Sequence, residues 1–258
     1  MSQIIIKDYL KKYKDEHIYF IPNRGSAGDS LIAYATLQIL DSLKIKYTIG
    51  SYEDSFTDKI IFFGGGGSLV SPYQKSKRFL LNNHNKNKIV ILPHTIYDDF
   101  ISQMSRDTEI ICRDTISYNY VLNHYKNIKN IFLADDLALS TNIPKSFLNR
   151  DMIKEANCFR TDNEQTDIRI PYNNKDYSIL CRTGNNTSNR YDIKYCTYTF
   201  LNALSLFSKI NTNRLHIAIA GLLLNKPVDL YPNSYFKNKA IYDYSLSKHS
   251  SIKFIDAK

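Results

Sequence analysis

The chain has 258 residues, enough for one large domain or two of roughly 100–150 residues. Hydrophobic residues make up 43% and charged residues 23%, which excludes collagen, wholesale disorder and coiled coil. Thirty-four basic residues against 25 acidic ones give a formal charge of +9, a balance that suits nucleic acid, an anionic membrane face or a phosphorylated small molecule. A scattered lysine-rich composition is the blander reading of the same number.

The first half alternates short apolar runs with helical stretches. His17 to Pro22, Lys59 to Phe63, Lys88 to Leu92, Glu109 to Cys112 and Asn130 to Ala134 read as strands: β-branched or aromatic, and bounded by Gly, Pro, Asn or Asp. Asp29 to Leu43 reads as a helix with one broad apolar face, and Asp114 to Tyr125 as another with Asp114 as N-cap. The Asn-rich stretch 82–87 reads as a surface loop. This alternation argues for a mostly parallel sheet with helices on both faces.

The polar stretch Ser140 to Ser146 reads as a linker and divides the chain into 1–142 and 143–258. Beyond it, strands are expected near Ala156 to Arg160, Tyr177 to Cys181 and Pro227 to Tyr231. Helices are expected near Tyr198 to Lys209, Arg214 to Asn225 and Lys239 to Leu246. The longest strongly apolar stretch, Ile217 to Leu224, is far short of the about 20 residues a membrane-spanning helix needs. The N-terminus carries no pattern of a secretory signal, so a cytoplasmic protein is expected. None of the four cysteines stands in a CxxC pair, so buried thiols and no metal site are expected.

Six segments are candidates for chemistry. Pro22 to Ser30 follows the first strand and opens a helix. Its Gly25 and Gly28 let backbone approach a ligand, although Asp29 or Ser30 as a simple cap explains it too. Gly64 to Gly67 are four consecutive glycines, more than a plain turn needs, so a ligand or a facing loop is expected against bare main chain, with a crowded strand end as the plainer alternative. His94 sits at the same sheet edge, where open α/β sheets bind ligands, although a lone histidine is more often a structural residue. Arg160, Asp162 and Glu164 cluster at the end of a strand. Arg214 and His216 open an apolar helix; a histidine there could exchange a proton and an arginine could hold an anion. Asn233 to Asn238 offers Tyr235, Lys237 and amides on one loop.

Taken together, these segments resemble the polysaccharide pyruvyl transferases. Asn23 to Ile32, Gly64 to Leu69 and Leu92 to Ile96 look like the N-terminal half of that family. Cys112-Arg113-Asp114 with Ser117, and Ala134-Asp135-Asp136, are similar to its middle segments. Phe159 to Glu164, Thr212-Asn213-Arg214-Leu215-His216 and Asn233 to Asn238 resemble three C-terminal signatures in order. The chain departs from the pattern at Asn213, usually Asp, and at Phe236, often Gly; it is also short between Ser178 and Tyr198.

The resemblance implies two Rossmann-like lobes in a GT-B-like arrangement with an interlobe cleft, the second lobe small. It implies transfer of pyruvate from phosphoenolpyruvate to two hydroxyls of a sugar, usually a lipid-linked precursor of a surface polysaccharide. Arg160, Arg214 and Lys237 are expected to hold phosphoenolpyruvate, with Tyr235 and Asn238 beside them. His216 is expected as acid or base, assisted by Asp162 or Glu164. Asn23, Gly28, Asp29, Gly65, Gly66, Gly67 and His94 are expected to hold the acceptor. No cofactor beyond this co-substrate and no nucleic acid is expected, and contact with the cytoplasmic face of the membrane is. The alternatives are a GT-B-type glycosyltransferase using a nucleotide sugar and a non-catalytic binding protein.

Overall fold

The apolar runs of the first half lie side by side as parallel strands. The structure, a computed structural model, describes residues 2–125, 130–184 and 186–256. In chain order the first half contains α1 (Ile6–Leu10), β1 (His17–Ile21), α2 (Ala27–Ser42), β2 (Lys46–Ile49), β3 (Ile60–Phe63) and β4 (Gly66–Val70). It continues with α3 (Gln74–Asn83), β5 (Lys88–Tyr97), β6 (Glu109–Cys112), α4 (Thr115–His124) and β7 (Asn130–Leu133). The second half holds β8 (Ala156–Cys158), α5 (Tyr177–Leu180), α6 (Arg190–Ser205), β9 (Ile210–Thr212), α7 (Leu215–Leu223), β10 (Val228–Leu230), α8 (Lys237–Ile241) and β11 (Ile252–Phe254).

Among the described residues the strands form two parallel sheets. One has seven strands in the order β2-β1-β3-β5-β6-β7, with β4 also paired to β5; the other has the order β11-β10-β9-β8. The first sheet is buried on both faces, and its side chains alternate between two cores as a period of two requires. Phe62, Val90, Leu92 and Ile111 enter one core. Phe63, Ile89, Ile91 and Ile110 enter the other. The first of these cores runs on without a break through α2 into α6, α7 and the second sheet. The Tyr34 hydroxyl on α2 meets that of Tyr198 on α6 at 3.1 Å across this junction.

In the larger sheet the chain leaves β1 for β2 on one side and returns to β3 on the other. Strand order therefore reverses at β1, and the loops after β1 and β3 splay apart at their carboxyl ends, where such sheets form a crevice. The carboxyl-end loops of β8, β9 and β10 in the second sheet border the same cavity.

The strands expected in the first half are present. Asp114 caps α4 as expected, its carboxylate accepting from the Ser117 amide at 2.7 Å. Four strands were not anticipated: β2, β4, β9 and β11. The glycine segment read as a loop is partly strand β4, because Gly66 pairs with His94 and extends β5 to ten residues. Tyr177 to Cys181, expected as a strand, is instead helix α5 with its turn; an apolar run this short does not distinguish the two by periodicity. Helix α6 begins eight residues earlier than expected, capped by Asn189. In the Asn-rich stretch, Asn83 is buried on α3 and donates to the Phe79 carbonyl at 2.9 Å. All four cysteines are buried and free.

Candidate active site

A cavity of about 270 Å³ opens between the carboxyl ends of the two sheets. Its floor and one wall come from the turn after β1 and from Gly67 and Ser68; the opposite wall comes from the loops after β8, β9 and β10. Six cationic side chains and three carboxylates line it: Arg24, Arg113, Arg160, Arg182, Arg214 and Lys237, with Asp29, Asp162 and Glu164. Six of the 34 basic residues, far apart in sequence, thus meet at one place.

The second-half wall is a lattice of charge-assisted hydrogen bonds. Arg160 follows β8 and is almost fully buried. Its Nε donates to Asp162 Oδ1 at 2.7 Å and its Nη1 to Glu164 Oε2 at 2.5 Å. Lys237, at the start of α8, donates to the same Glu164 oxygen at 2.5 Å, and Tyr73 from the first half donates to Glu164 Oε1 at 2.6 Å. Arg214, the N-cap residue of α7, pairs with Asp176 and reaches Asp162 Oδ2 at 2.8 Å. The carboxylates hold each guanidinium plane in a fixed direction, which is the preorganisation an anion site needs.

Burial would raise the Glu164 carboxyl, but Lys237 and Arg160 outweigh it and hold the group down at about 2. Burial opposes ionisation of Asp162 as well, and Arg160 with Arg214 brings it to about 2. Both carboxylates are therefore ionised at neutral pH and cannot serve as a resting proton donor. Burial lowers Lys237 to about 8; Arg160 and Arg113 push the same way and Glu164 opposes them.

His216 is the second residue of α7, two positions on from Arg214, and lines the same cavity. Its Nε2 is 3.4 Å from Arg113 Nη1 and 3.4 Å from Asp136 Oδ2. Arg113 and Asp136 form a fully buried pair at 2.6 Å, and Arg113 Nε also donates to Thr95 at 2.9 Å. Arg160 brings a further contact to this region through its amide, which donates to Asn213 Oδ1 at 2.8 Å. An amide oxygen fills that acceptor role as a carboxylate would, so the departure to asparagine keeps the bond.

The glycines have separate reasons. A Cβ on Gly28 would stand 2.6 Å from His216 Cβ, so only glycine lets the histidine rest on the first turn of α2. A Cβ on Gly67 would stand 3.0 Å from Arg113 Nη2, so Gly67 leaves room for that guanidinium in the cavity. Gly64 and Gly65 face the backbones of Pro22 and Pro93, and Gly66 has φ of +139°. These three mark a crowded strand end rather than a ligand cradle.

Several expected site residues need correction. His94 is wholly buried and does not line the cavity; its Nε2 meets Ser68 Oγ at 3.2 Å, and burial holds its pKa well below the usual histidine range. Gly65 and Gly66 are packed against chain, and Gly28 is covered by His216. Asn238 is fully buried and donates to the carbonyls of Asn213 and Tyr231, at 2.8 and 2.9 Å, which braces two loops. Asn23 lines the cavity but spends its amide on the Gly65 carbonyl at 2.7 Å and accepts from Tyr52 at 2.5 Å. Asp29 lines it too, and closes a capping box with Ser26, whose amide donates to Asp29 Oδ2 at 2.7 Å. Tyr235 borders an adjoining groove.

Sequence reasoning placed Arg160, Asp162, Glu164, Arg214, His216 and Lys237 together, and they are together. It missed Arg113, Asp136 and Tyr73 as members of the site. Arg113 carried a signal, since it ends strand β6 beside an N-cap aspartate, at the edge where ligands bind. Tyr73 carried none.

Fold and cavity define a parallel α/β protein with a crevice lined by cationic side chains at the carboxyl ends of its strands. The family model of the polysaccharide pyruvyl transferases matches residues 27–234, and the chain belongs to that family. A crystal structure of a functionally uncharacterised protein from Klebsiella pneumoniae is similar at 33% identity and a TM-score of 0.86, over 98% of this chain and 97% of that one. No curated protein matches the chain with significance. Among the described residues no helix is long and apolar enough to cross a membrane, and no three His, Cys, Asp or Glu side chains gather as a metal site requires.

Proposed function

We propose that the chain transfers pyruvate from phosphoenolpyruvate to two hydroxyls of a sugar, forming a ketal and releasing phosphate. The observation that carries this reading is the convergence of Arg113, Arg160, Arg214, Lys237 and His216 on one cavity of about 270 Å³. Phosphoenolpyruvate concentrates roughly three negative charges on three carbons, and rigid guanidinium forks match its carboxylate and phosphate oxygens. The cavity lies just below the usual size of drug-like pockets, which favours a small anion over a nucleotide sugar.

In the reaction a proton adds to the methylene carbon and makes it a methyl group. The first sugar hydroxyl adds to the central carbon, the carbon–oxygen bond to phosphate breaks, and the second hydroxyl closes the ring. Of the two hydroxyl protons, one balances the methyl group and the other leaves on phosphate. His216 is the group placed to move these protons. Asp162 and Glu164, held ionised, orient Arg160, Arg214 and Lys237 and can accept a hydroxyl proton only in passing. The chain's own cations supply the positive charge, and no cofactor is invoked.

Within this reading residues 1–142 and 143–258 act as two lobes of a GT-B-like enzyme, with phosphoenolpyruvate on the second-half wall. The acceptor is a surface-polysaccharide precursor, lipid-linked at the cytoplasmic face of a membrane, to which a charge of +9 would be drawn. The test is incubation with phosphoenolpyruvate and a panel of lipid-linked and synthetic glycosides. Release of phosphate with a product heavier by one pyruvate less one water is expected. Turnover of a nucleotide sugar, with phosphoenolpyruvate inert, would replace this reading by glycosyl transfer.

A further inference from the structure

Beside the charged cavity lies a second hollow of about 670 Å³ with largely apolar walls. Its walls are the segment leaving β4 (Val70 to Tyr73), Tyr97 at the end of β5, the loop from Asp162 to Glu164, and Ser234 to Phe236. Tyr73, Asp162 and Glu164 border both spaces, so the two are neighbours across a shared wall. The hollow contains no cationic side chain; its charged groups are the two shared carboxylates. It is unsuited to an anion and has room for more than one sugar ring.

The aromatic walls are rigid and open. Tyr97 is 50% exposed and Tyr73 40% exposed. The Tyr97 ring is backed by Tyr120 at 4.4 Å, whose hydroxyl is anchored on Asp99 at 2.6 Å. Tyr97 also meets Phe236 at 5.2 Å and 63°, and Phe236 meets Tyr235 at 5.5 Å and 90°. The buried Tyr235 hydroxyl has no hydrogen-bond partner among the described residues. It lies 4.0 Å from where a Cβ on Gly67 would stand, so it points at the boundary between groove and cavity. An unpaired buried hydroxyl at such a boundary costs free energy unless a ligand completes it.

A sugar has an apolar face of C–H groups and a rim of hydroxyls. This groove offers aromatic faces for the first, and carboxylates and phenols for the second. We propose that the groove is the acceptor subsite: an uncharged sugar ring packs against Tyr97 and Phe236, and its reacting hydroxyls pass between Tyr73 and Tyr235 into the charged cavity. The assignment rests on the pyruvyl-transfer reading and moves acceptor recognition away from the turn after β1. It also sets the acceptor's class. Uncharged hexosides fit, whereas uronic acids would meet Asp162 and Glu164, and any diphosphate must lie outside the groove.

The experiment uses phenyl β-D-galactoside, -glucoside and -mannoside with the matching glucuronide as probes. Binding to the full chain is read by saturation-transfer NMR and titration, and phosphoenolpyruvate is titrated separately on the same proteins. At least one neutral glycoside should bind the wild type, bind roughly tenfold more weakly to Tyr97→Ala and Phe236→Ala, and bind near wild-type strength to Tyr97→Phe. The glucuronide should bind more weakly than its neutral counterpart. Wild-type phosphoenolpyruvate affinity in each variant shows that the variant is folded. No binding of any neutral glycoside to the wild type, or unchanged binding in both alanine variants, overturns the proposal. Loss of phosphoenolpyruvate binding by the wild type, with glycosides still bound through Tyr97, would defeat the pyruvyl-transfer reading while leaving a sugar-binding groove.

Discussion

The two walls of the cavity are built on opposite plans. In the first-half wall most polar groups are spent on one another: Asn23, Ser68, His94 and Tyr52 form a network, and Asp29 closes a helix cap. In the second-half wall Arg160, Arg214 and Lys237 line the cavity together with Asp162 and Glu164, the carboxylates that hold them. The first wall is a shaped floor that adds Arg24 and Arg113, and the second holds the other four cations, Arg160, Arg182, Arg214 and Lys237. Glycines serve the first because they bring backbones together; arginines serve the second because their forks stay charged and directional.

Substitutions should separate the walls. Arg160→Ala or Arg214→Ala should lower kcat/KM for phosphoenolpyruvate on the order of 100–1000-fold, measured by phosphate release. Gly28→Ala crosses the divide, because it acts through His216: the ring must move, and kcat should fall on the order of 100-fold while circular dichroism stays native. A Gly28→Ala enzyme of normal kcat would mean that the position of His216 does not matter.

Lys237 gives a pH test of the charged wall. With its ammonium lowered to about 8 in the free protein, phosphoenolpyruvate affinity should fall by up to about tenfold per pH unit above 8. Lys237→Met should bind weakly at all pH values and lose that dependence. His94→Ala should do the reverse of the arginine variants. It removes a buried ring, so a loss of about 2–4 kcal/mol in denaturant melts is expected with phosphoenolpyruvate affinity intact.

Acid stability is the smallest effect. Asp162 and Glu164 are held at about 2, below their ordinary values of 3.8 and 4.5. Their contribution is fully present above those ordinary values and is lost as pH falls through about 2. Glu164→Gln should therefore flatten the decline in melting temperature between about pH 4.5 and 2.

How much of this was legible in the sequence also differs between the walls. Arg160, Arg214, His216 and Lys237 were readable because their three segments resemble the family's C-terminal signatures in order; by position alone they also fit solvated ion pairs and helix caps. The first-half wall misled, because a glycine run and a histidine beside it look alike whether they cradle a ligand or pack a strand end. What separates them is the partner across the gap: Pro22 and Pro93 behind Gly64 and Gly65, and Ser68 on His94. Those contacts are long-range and leave no local mark. Strand β4 was hidden for the same reason, since glycines carry no strand pattern of their own and pairing with β5 decided it. Tyr177 to Cys181 failed for want of length.

A crystal structure of the protein soaked with phosphoenolpyruvate tests the central claim most directly. The account predicts one molecule in the cavity, its carboxylate and phosphate oxygens within hydrogen-bond reach of Arg160, Arg214 and Lys237 and its methylene carbon facing His216. Phosphoenolpyruvate bound elsewhere, or a cavity that stays free of it at saturating concentration, would contradict the account.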